Sequence, residues 1–572
     1  MGIPTYFRYL LLQHHDILSV QKNNLTLDYF FLDLNSVLYE VYRTEVEKFQ
    51  QNQQYFYQKI VDELVVLCNE IIKPQKMIYF ALDGPAPRAK MVQQRSRRYK
   101  SIQFSKLVGA KENEWNPSNN ICPGTKFMHD LSKFILRSIQ QKKFHCPKVV
   151  LDDASHPGEG EHKILPIIRK LQDKPDGVVI MSPDNDLLSL GILTKKSNIY
   201  ILRYMDIFCA EILKIDLDKT KRQMVFISID KIQEHFCKQQ ETLYGKSIDI
   251  NNLLLDYNFL LSMVGNDFIC SLPYMKIKSG GLDKLIQIYN SIYQNQNAFL
   301  IDKDTLQINV SFFTELVRQL SFMEDNEMKS LSGFIHREMY QGRPLKDEDK
   351  LSASKIFENR LSHLYLCNSH HPLHEEYKDE FSKINYQKPK NEWKQDYYQY
   401  FCNVDPKNYR QYNTLRSKMV EKYLESLVFT LQYYNRECPS WSWYYPFRVA
   451  PLFSDIYTNL TKLNFDINKI QFKKGKSYTP FQQLMLILPS DSKEILPNEF
   501  HPLFQKYQSF YPPTFRVDAL QGMKYIYSEA ILPEMRHELQ FFGDVQKIEK
   551  KLKTNDRERN IISNGVYKFH FD

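Results

Sequence analysis

A chain of 572 residues with 43% hydrophobic and 14% aromatic content is too long for one ordinary core and too apolar for long disorder. Its net charge of +9 biases it toward anionic partners. Its nine cysteines form no C-x-x-C pair, which argues against a zinc ribbon or a disulfide framework and fits a reducing, intracellular compartment.

The N-terminus, MGIPTYFRYLLLQHH, lacks the long apolar core and cleavage site of a signal peptide. Tyr6 stands where a myristoylation signal wants Ser or Thr. No run reaches transmembrane length, so a soluble protein with no membrane contact is expected. Four short apolar runs then end in acids: LDYFFLDLN at Asp33, MIYFALDG at Asp83, KVVLDDA at Asp152 and Asp153, and GVVIMSPDND at Asp184 and Asp186. Helical stretches separate them, a pattern that predicts an α/β fold, a parallel sheet with helices on both faces. Ligands of such sheets sit beyond the carboxyl ends of the strands, where these acids converge.

Between the second and third runs, FSKLVGAKENEWNPSNNICPGTKF reads as a long loop. Residues 200–345 read as mostly helical, with Leu253–Phe268 as one apolar helix. The His-rich stretch around Asn368–Lys390 is a candidate linker. A long helix, RSKMVEKYLESLVFTLQYY, precedes the aromatic segment ECPSWSWYYPFRVAP. A strand-like PTFRVDAL and a charged end, KIEKKLKTNDRERN, follow. The division expected is residues 1–345 for the sheet-bearing unit, 346–392 for linker and connecting helices, and 393–572 for a second helical, aromatic-rich region.

Seven carboxylates fall at the expected edge. Asp33, Asp83, Asp184 and Asp186 close strands. Glu159 and Glu161 of PGEGEHKILPIIRKL begin a helix whose stripe is Ile164, Ile167, Ile168 and Leu171, and Asp267 follows the apolar helix. Any one of them could be a cap or loop residue. Together they would repel and take up protons unless cations held them apart. Mg²⁺, a hard ion shared between carboxylates and phosphate, suits such a set, and two ions can clamp a displacement at phosphorus. His162, within EGEH, reads as a surface or supporting residue.

After Pro87, RAKMVQQRSRRYKSIQ predicts a helix with Lys90, Gln94, Arg97 and Arg98 on one face. These four donors, just past Asp83, suit a phosphate dianion. Arg88, Arg95 and Lys100 are left to the solvated face. PSWSWYYPF holds five aromatics, readable as core or as a platform on which bases stack.

The segments MGIPTYFRYL, FLDLNSVLYE, LDGPAPRAKMVQQRSRRYKS, NICPGTKFM, PGEGEHKI, PDNDLLSLG, FLLSMVGNDFICSLP, PSWSWYYPF, PFQQLMLILP and PPTFRVDALQG resemble the eukaryotic 5′→3′ exoribonucleases, the XRN family. They follow the family's order through both of its conserved regions. The resemblance implies a nuclease core of the PIN/flap-nuclease type with a helical second region packed on it. It also implies processive, Mg²⁺-dependent hydrolysis of 5′-monophosphorylated single-stranded RNA to mononucleotides, with Mn²⁺ able to substitute. Asp33, Asp83, Glu159, Glu161, Asp184, Asp186 and Asp267 match the family's metal-binding acids. Lys90, Gln94, Arg97 and Arg98 match its 5′-phosphate pocket, and Trp441 an aromatic flanking the strand. Ser36 and Tyr39 depart from the family's Gly and stacking His; Tyr39 can still stack on the first base. Arg448 replaces a His, and Asn185 a small residue.

A short form is expected, without the long C-terminal extension of the cytoplasmic enzymes or the Cys/His zinc knuckle often found in the nuclear ones. An intracellular address, the nucleus ahead of the cytoplasm, and protein partners in an RNA-processing or decay complex are expected. Two rivals are a flap-type DNA 5′ nuclease, whose Gly-Ile-Gly hairpin is missing from GNDFICSLPYMKIKSGG, and a catalytically weak RNA-binding subunit, which seven filled acid positions disfavour.

Overall fold

The computed structural model describes residues 3–20, 26–49, 52–109, 115–172, 175–217, 223–244, 249–272, 274–339, 360–463 and 465–571. Ten strands occur among them: β1 (Leu18–Ser19), β2 (Tyr29–Asp33), β3 (Met77–Ala81), β4 (Lys148–Asp152), β5 (Val178–Met181), β6 (Ile199–Tyr204), β7 (Met224–Ser228), β8 (Arg516–Val517), β9 (Ala530–Ile531) and β10 (Val566–His570). Eight of them form one sheet in the order β1-β7-β6-β5-β2-β3-β4-β10. Strands β6, β5, β2, β3 and β4 run parallel. The four predicted runs are β2, β3, β4 and β5, four of the five parallel strands, and β6 is the fifth.

Their side chains alternate between two cores because successive strand residues point to opposite faces. Phe30, Leu32, Ile78, Phe80, Val179 and Met181 pack on one face with Val37, Leu38, Ile60 and Leu131. Phe31, Tyr79, Val150, Val178 and Ile180 pack on the other with Ile164, Leu187, Leu188 and Leu260. Helices on both sides explain why the runs are apolar throughout.

The edges depart from an all-parallel sheet. Strands β7 and β10 lie antiparallel to β6 and β4, and β1 lies antiparallel to β7. Thus 200–345 contains most of β6 and all of β7 as well as helices, and the residues after the charged C-terminal run return to the main sheet. Strands β1 and β10 carry too few apolar residues to stand out alone and are stabilised by pairing with a preformed edge, whereas β7, MVFIS, is as apolar as the central strands.

The apolar helix spans Ile250–Met263, and the long helix spans Tyr409–Asn435. Both contribute to the core that also holds Ile164 and Leu187, so the second region shares its hydrophobic interior with the sheet. Residues 346–359 of the expected linker lie outside the described residues. Of the remainder, Leu366, Cys367, Leu373, Tyr377 and Phe381 pack against Val517, Ala519 and Tyr525. No helix among the described residues is long and apolar enough to cross a membrane.

Strand β10 covers the outer edge of β4, and the Phe571 N–H donates to Pro147 O at 2.8 Å. Ending the chain at Asn560 is expected to cost about 2–4 kcal/mol, from several ladder hydrogen bonds at ~0.5–1.5 kcal/mol each, and to open an edge prone to association. A lower melting temperature together with concentration-dependent light scattering checks this.

Candidate active site

Strands β2, β3 and β4 are laid down in one direction from β2, and β5 and β6 in the other. The crevice beyond the carboxyl ends of β2 and β5 is therefore a topological switch point. Asp33 ends β2 and accepts a hydrogen bond from Ser182 Oγ, just past β5, at 3.0 Å. Asp83, two residues past β3, accepts from Asn35 Nδ2 at 2.6 Å and from the Gly160 N–H at 2.8 Å. Asp186 begins a short helix and accepts from the Ile3 N–H at 2.8 Å. Glu159 stands at the N-cap position of the helix Gly160–Arg169, its side chain free of the backbone, with Glu161 in the first turn.

Two glycines make this approach possible. A Cβ on Gly84 would lie 1.7 Å from the His156 carbonyl oxygen, and one on Gly160 would lie 3.0 Å from Asp33 Oδ1. The loop after β3 and the PGEGEH loop can cross only without those side chains.

All seven predicted carboxylates interact. Burial pushes the Asp33 carboxyl up to about 8, with Asp83 and Asp184 adding repulsion. Burial likewise raises Glu159 to about 7, although Lys90 opposes it. Glu161 is held well above the ordinary range by burial and by the charges of Glu159, Asp184 and Asp33. Asp186 is held there by burial and by Asp184 and Asp267. Asp33 Oδ1 is buried without a hydrogen-bond partner among the described residues. An all-oxygen donor set, raised carboxyl pKa values and an orphaned carboxylate oxygen together fit a hard divalent cation. The other two strand-end acids are occupied elsewhere: Asp152 pairs with Lys163 at 3.0 Å and accepts from Tyr79 Oη, and Asp153 caps Ser155.

The basic helix spans Arg88–Leu107. Lys90 turns toward the acids: Nζ lies 2.6 Å from Glu159 and 2.7 Å from Asp267, and their charges outweigh burial to hold the ammonium well above its ordinary value. Two contacts leave one of its three N–H donors over. Gln94 and Arg98 follow along the helix. The Arg98 guanidinium is buried, donates to Cys122 Sγ at 3.2 Å and to Gln94 O at 3.0 Å, and its Nε has no hydrogen-bond partner among the described residues. Arg97 is exposed and makes no hydrogen bond or ion pair among the described residues. Burial raises the Tyr39 hydroxyl pKa, and the nearby charges of Arg97 and Arg98 offset part of that rise.

The opposite face of this helix is not solvated, contrary to expectation. The Arg95 guanidinium lies 3.7 Å from the Phe510 ring centroid and donates to Pro533 O at 2.8 Å. Lys100 donates to the carbonyls of Ile526 and Ser528, and Arg88 lies over Tyr444. The side chains left to solvent dock the helix on the second region.

The aromatic segment divides. Trp443 packs on Phe429 and Phe472 and donates to Glu425 at 2.7 Å. Trp441 is half-buried and has no ring partner among the described residues, and its carbonyl accepts from the Arg88 N–H at 2.9 Å. That bond fixes Trp441 at the start of the basic helix.

Sequence reasoning missed Tyr433 and Tyr434 at the end of the long helix. Their hydroxyls donate to Glu159 at 3.3 Å and Asp186 at 3.4 Å. Paired tyrosines within an apolar stripe were the available signal, since a buried hydroxyl needs an acceptor. His162 is not on the surface: its ring centroid lies 3.8 Å from that of Tyr433, both nitrogens are buried without a hydrogen-bond partner among the described residues, and burial drives its pKa far down. One ligand atom each of Glu159, Glu161 and His162 falls within 4.8 Å of the others.

Between about pH 4, where these carboxyls titrate in an unfolded chain, and their folded values of about 7 and 8, the folded protein binds the extra protons. Stability of the metal-free protein therefore declines as pH rises through that window. In chelator, the melting temperature is expected to fall from about pH 5.5 to about pH 8, with Mg²⁺ restoring it mainly at the upper end. Asp33→Asn should raise the metal-free value at about pH 8 by a few degrees and reduce the Mg²⁺ gain, which differential scanning fluorimetry reads directly.

A family model described as the XRN 5′-3′ exonuclease N-terminus matches residues 1–205, and one described as the Xrn1 helical domain matches 247–361 and 366–570. The 5′-3′ exoribonuclease 2 homolog of Drosophila melanogaster is 27% identical over an alignment covering 93% of this chain and 69% of the relative. The 5′-3′ exoribonuclease 1 of Homo sapiens is 27% identical, with 98% of this chain and 35% of the relative covered. That of Saccharomyces cerevisiae is 26% identical over the whole chain and 45% of the relative. With both family regions matched in order across the acid cluster and the basic helix, the chain belongs to the XRN 5′-3′ exonuclease family.

Proposed function

We infer that this protein is a 5′→3′ exoribonuclease that removes 5′-mononucleotides processively from single-stranded RNA carrying a 5′ monophosphate. The observation that carries the reading is Lys90. Its ammonium joins Glu159 and Asp267, and the same helix carries Gln94, Arg97 and Arg98 one and two turns on. A 5′ phosphate held by the basic face therefore sets the first phosphodiester against the acids.

Asp33, Asp83, Glu159, Glu161, Asp184, Asp186 and Asp267 would hold two Mg²⁺ ions, with Mn²⁺ able to replace them. Bound there, the ions supply an activated water and stabilise the leaving 3′ oxygen. The protein's own groups do the positioning. Arg98 offers its buried guanidinium and Arg97 its exposed one to the phosphate oxygens. Tyr39 stacks on the first base, and Trp441 flanks the strand at the start of the basic helix. Tyr433 and Tyr434 close the far side of the acids against bulk water. The core is read as the PIN/flap-nuclease type on its switch-point acids, and an intracellular, preferably nuclear, address is read from the nine free cysteines and basic charge.

The test compares Mg²⁺-dependent decay of RNA bearing 5′-monophosphate, 5′-triphosphate or 5′-hydroxyl ends. Monophosphate RNA should be degraded fastest, by about 10²-fold or more, as several charge-assisted hydrogen bonds are lost in the others. Asp184→Asn combined with Asp186→Asn should lower kcat by at least about 10³-fold while retaining RNA binding. Equal rates on all three ends would remove the pocket assignment, and an inactive wild type would leave an RNA-binding subunit.

A further inference from the structure

We propose that Gln483, in the second region, is a positioning residue that turns the Gln94 amide so that its N–H donors face the 5′ phosphate. The proposal rests on the pocket reading above. Gln483 lies in the first turn of the helix Pro480–Ile487, which Thr479 caps through a reciprocal bond with Gln482. Its side chain is 0% exposed.

The hydrogen bonds determine which way each amide points. The Ala86 backbone N–H, 2.9 Å from Gln483, can only donate, so the atom it meets must be the carbonyl Oε1. Gln483 Nε2 is thereby directed at Gln94, 3.0 Å away, and as an amide nitrogen it can only donate. Gln94 must answer with Oε1. Its own Nε2 is left on the other side, with no hydrogen bond among the described residues.

Unrestrained, Gln94 could present either end of its amide. A phosphate oxygen only accepts, so the wrong end would bring an acceptor against an acceptor. The Ala86–Gln483–Gln94 relay removes that alternative, and Ala86 lies two residues before the basic helix, so the relay also ties down the segment leading into it. Gln483 Nε2 further approaches Cys122 Sγ, 4.0 Å away, the same sulfur to which Arg98 donates. One buried residue of the second region thus braces both neutral and charged donors of the pocket without itself reaching substrate.

The test uses the full chain and steady-state decay of 5′-monophosphate and 5′-hydroxyl RNA by wild type, Gln483→Met, Gln94→Ala and the double variant. Gln483→Met should raise KM for monophosphate RNA about tenfold with kcat changed less than about twofold, and lower the monophosphate-to-hydroxyl ratio of kcat/KM by a similar factor. In the Gln94→Ala background the same substitution should add little, because its effect runs through Gln94. Gln483→Glu, which keeps the bond from Ala86, is the second variant should the first fold poorly, and should show the same end-selective loss.

A loss equal on both RNA ends, no loss, or an undiminished penalty in the Gln94→Ala background would overturn the positioning role. If Gln94→Ala itself leaves the preference for monophosphate intact, the pocket reading fails instead.

Discussion

The structure is organised around the burial of negative charge at one edge of a sheet. Without a cation, burial and mutual repulsion hold several of these carboxyls protonated near neutral pH. Here they are fixed by backbone and side-chain donors that come from distant parts of the chain: the Gly160 and Ile3 N–H groups, Asn35, Ser182, and the two tyrosines of the long helix. Lys90 adds a cation shared by Glu159 and Asp267. What these contacts leave unmet, including Asp33 Oδ1, is the part of the cluster suited to a divalent ion.

Much of the second region serves to hold that edge in place. The long helix contributes buried apolar side chains to the sheet's own core and ends at the acids. Arg88, Arg95 and Lys100 grip aromatic rings and carbonyls of the C-terminal third, and β10 closes the sheet beside β4. The basic helix is therefore held on both flanks, by acids on one and by aromatic clamps on the other. Rigidity of this kind matters because a phosphate can serve as a fixed reference for cleavage only if its binding groups cannot drift relative to the acids.

The family departures noted in the sequence now have locations. The Ser36 hydroxyl donates to the Asp33 backbone carbonyl and leaves the Asp33 carboxylate untouched. Asn185 accepts from Arg203 and donates to Ile3 O, tying the N-terminal segment across the site. Arg448 donates to Tyr400 O and Phe401 O beside Asp518, a packing role away from the acids. Tyr39 is the one beside the basic face, within range of Arg97 and Arg98.

The amino-acid pattern alone specified four of the five parallel strands, the acids at their ends and the start of the basic helix. Each is a local signal: a strand buried on both sides must be apolar throughout, and an abrupt change to carboxylates or to cations marks where the chain leaves the core. Tertiary structure decided everything that depends on partners far away in sequence. Helical spacing separates Arg97 from Arg95, but nothing in it announces that Arg95 is committed to Phe510. Nothing around Gln483 announces Gln94, nor does a charged C-terminal run reveal that the strand after it returns to β4. Those outcomes follow from which surfaces meet when two regions share one core, and that is set by packing across hundreds of residues rather than by any neighbouring side chain.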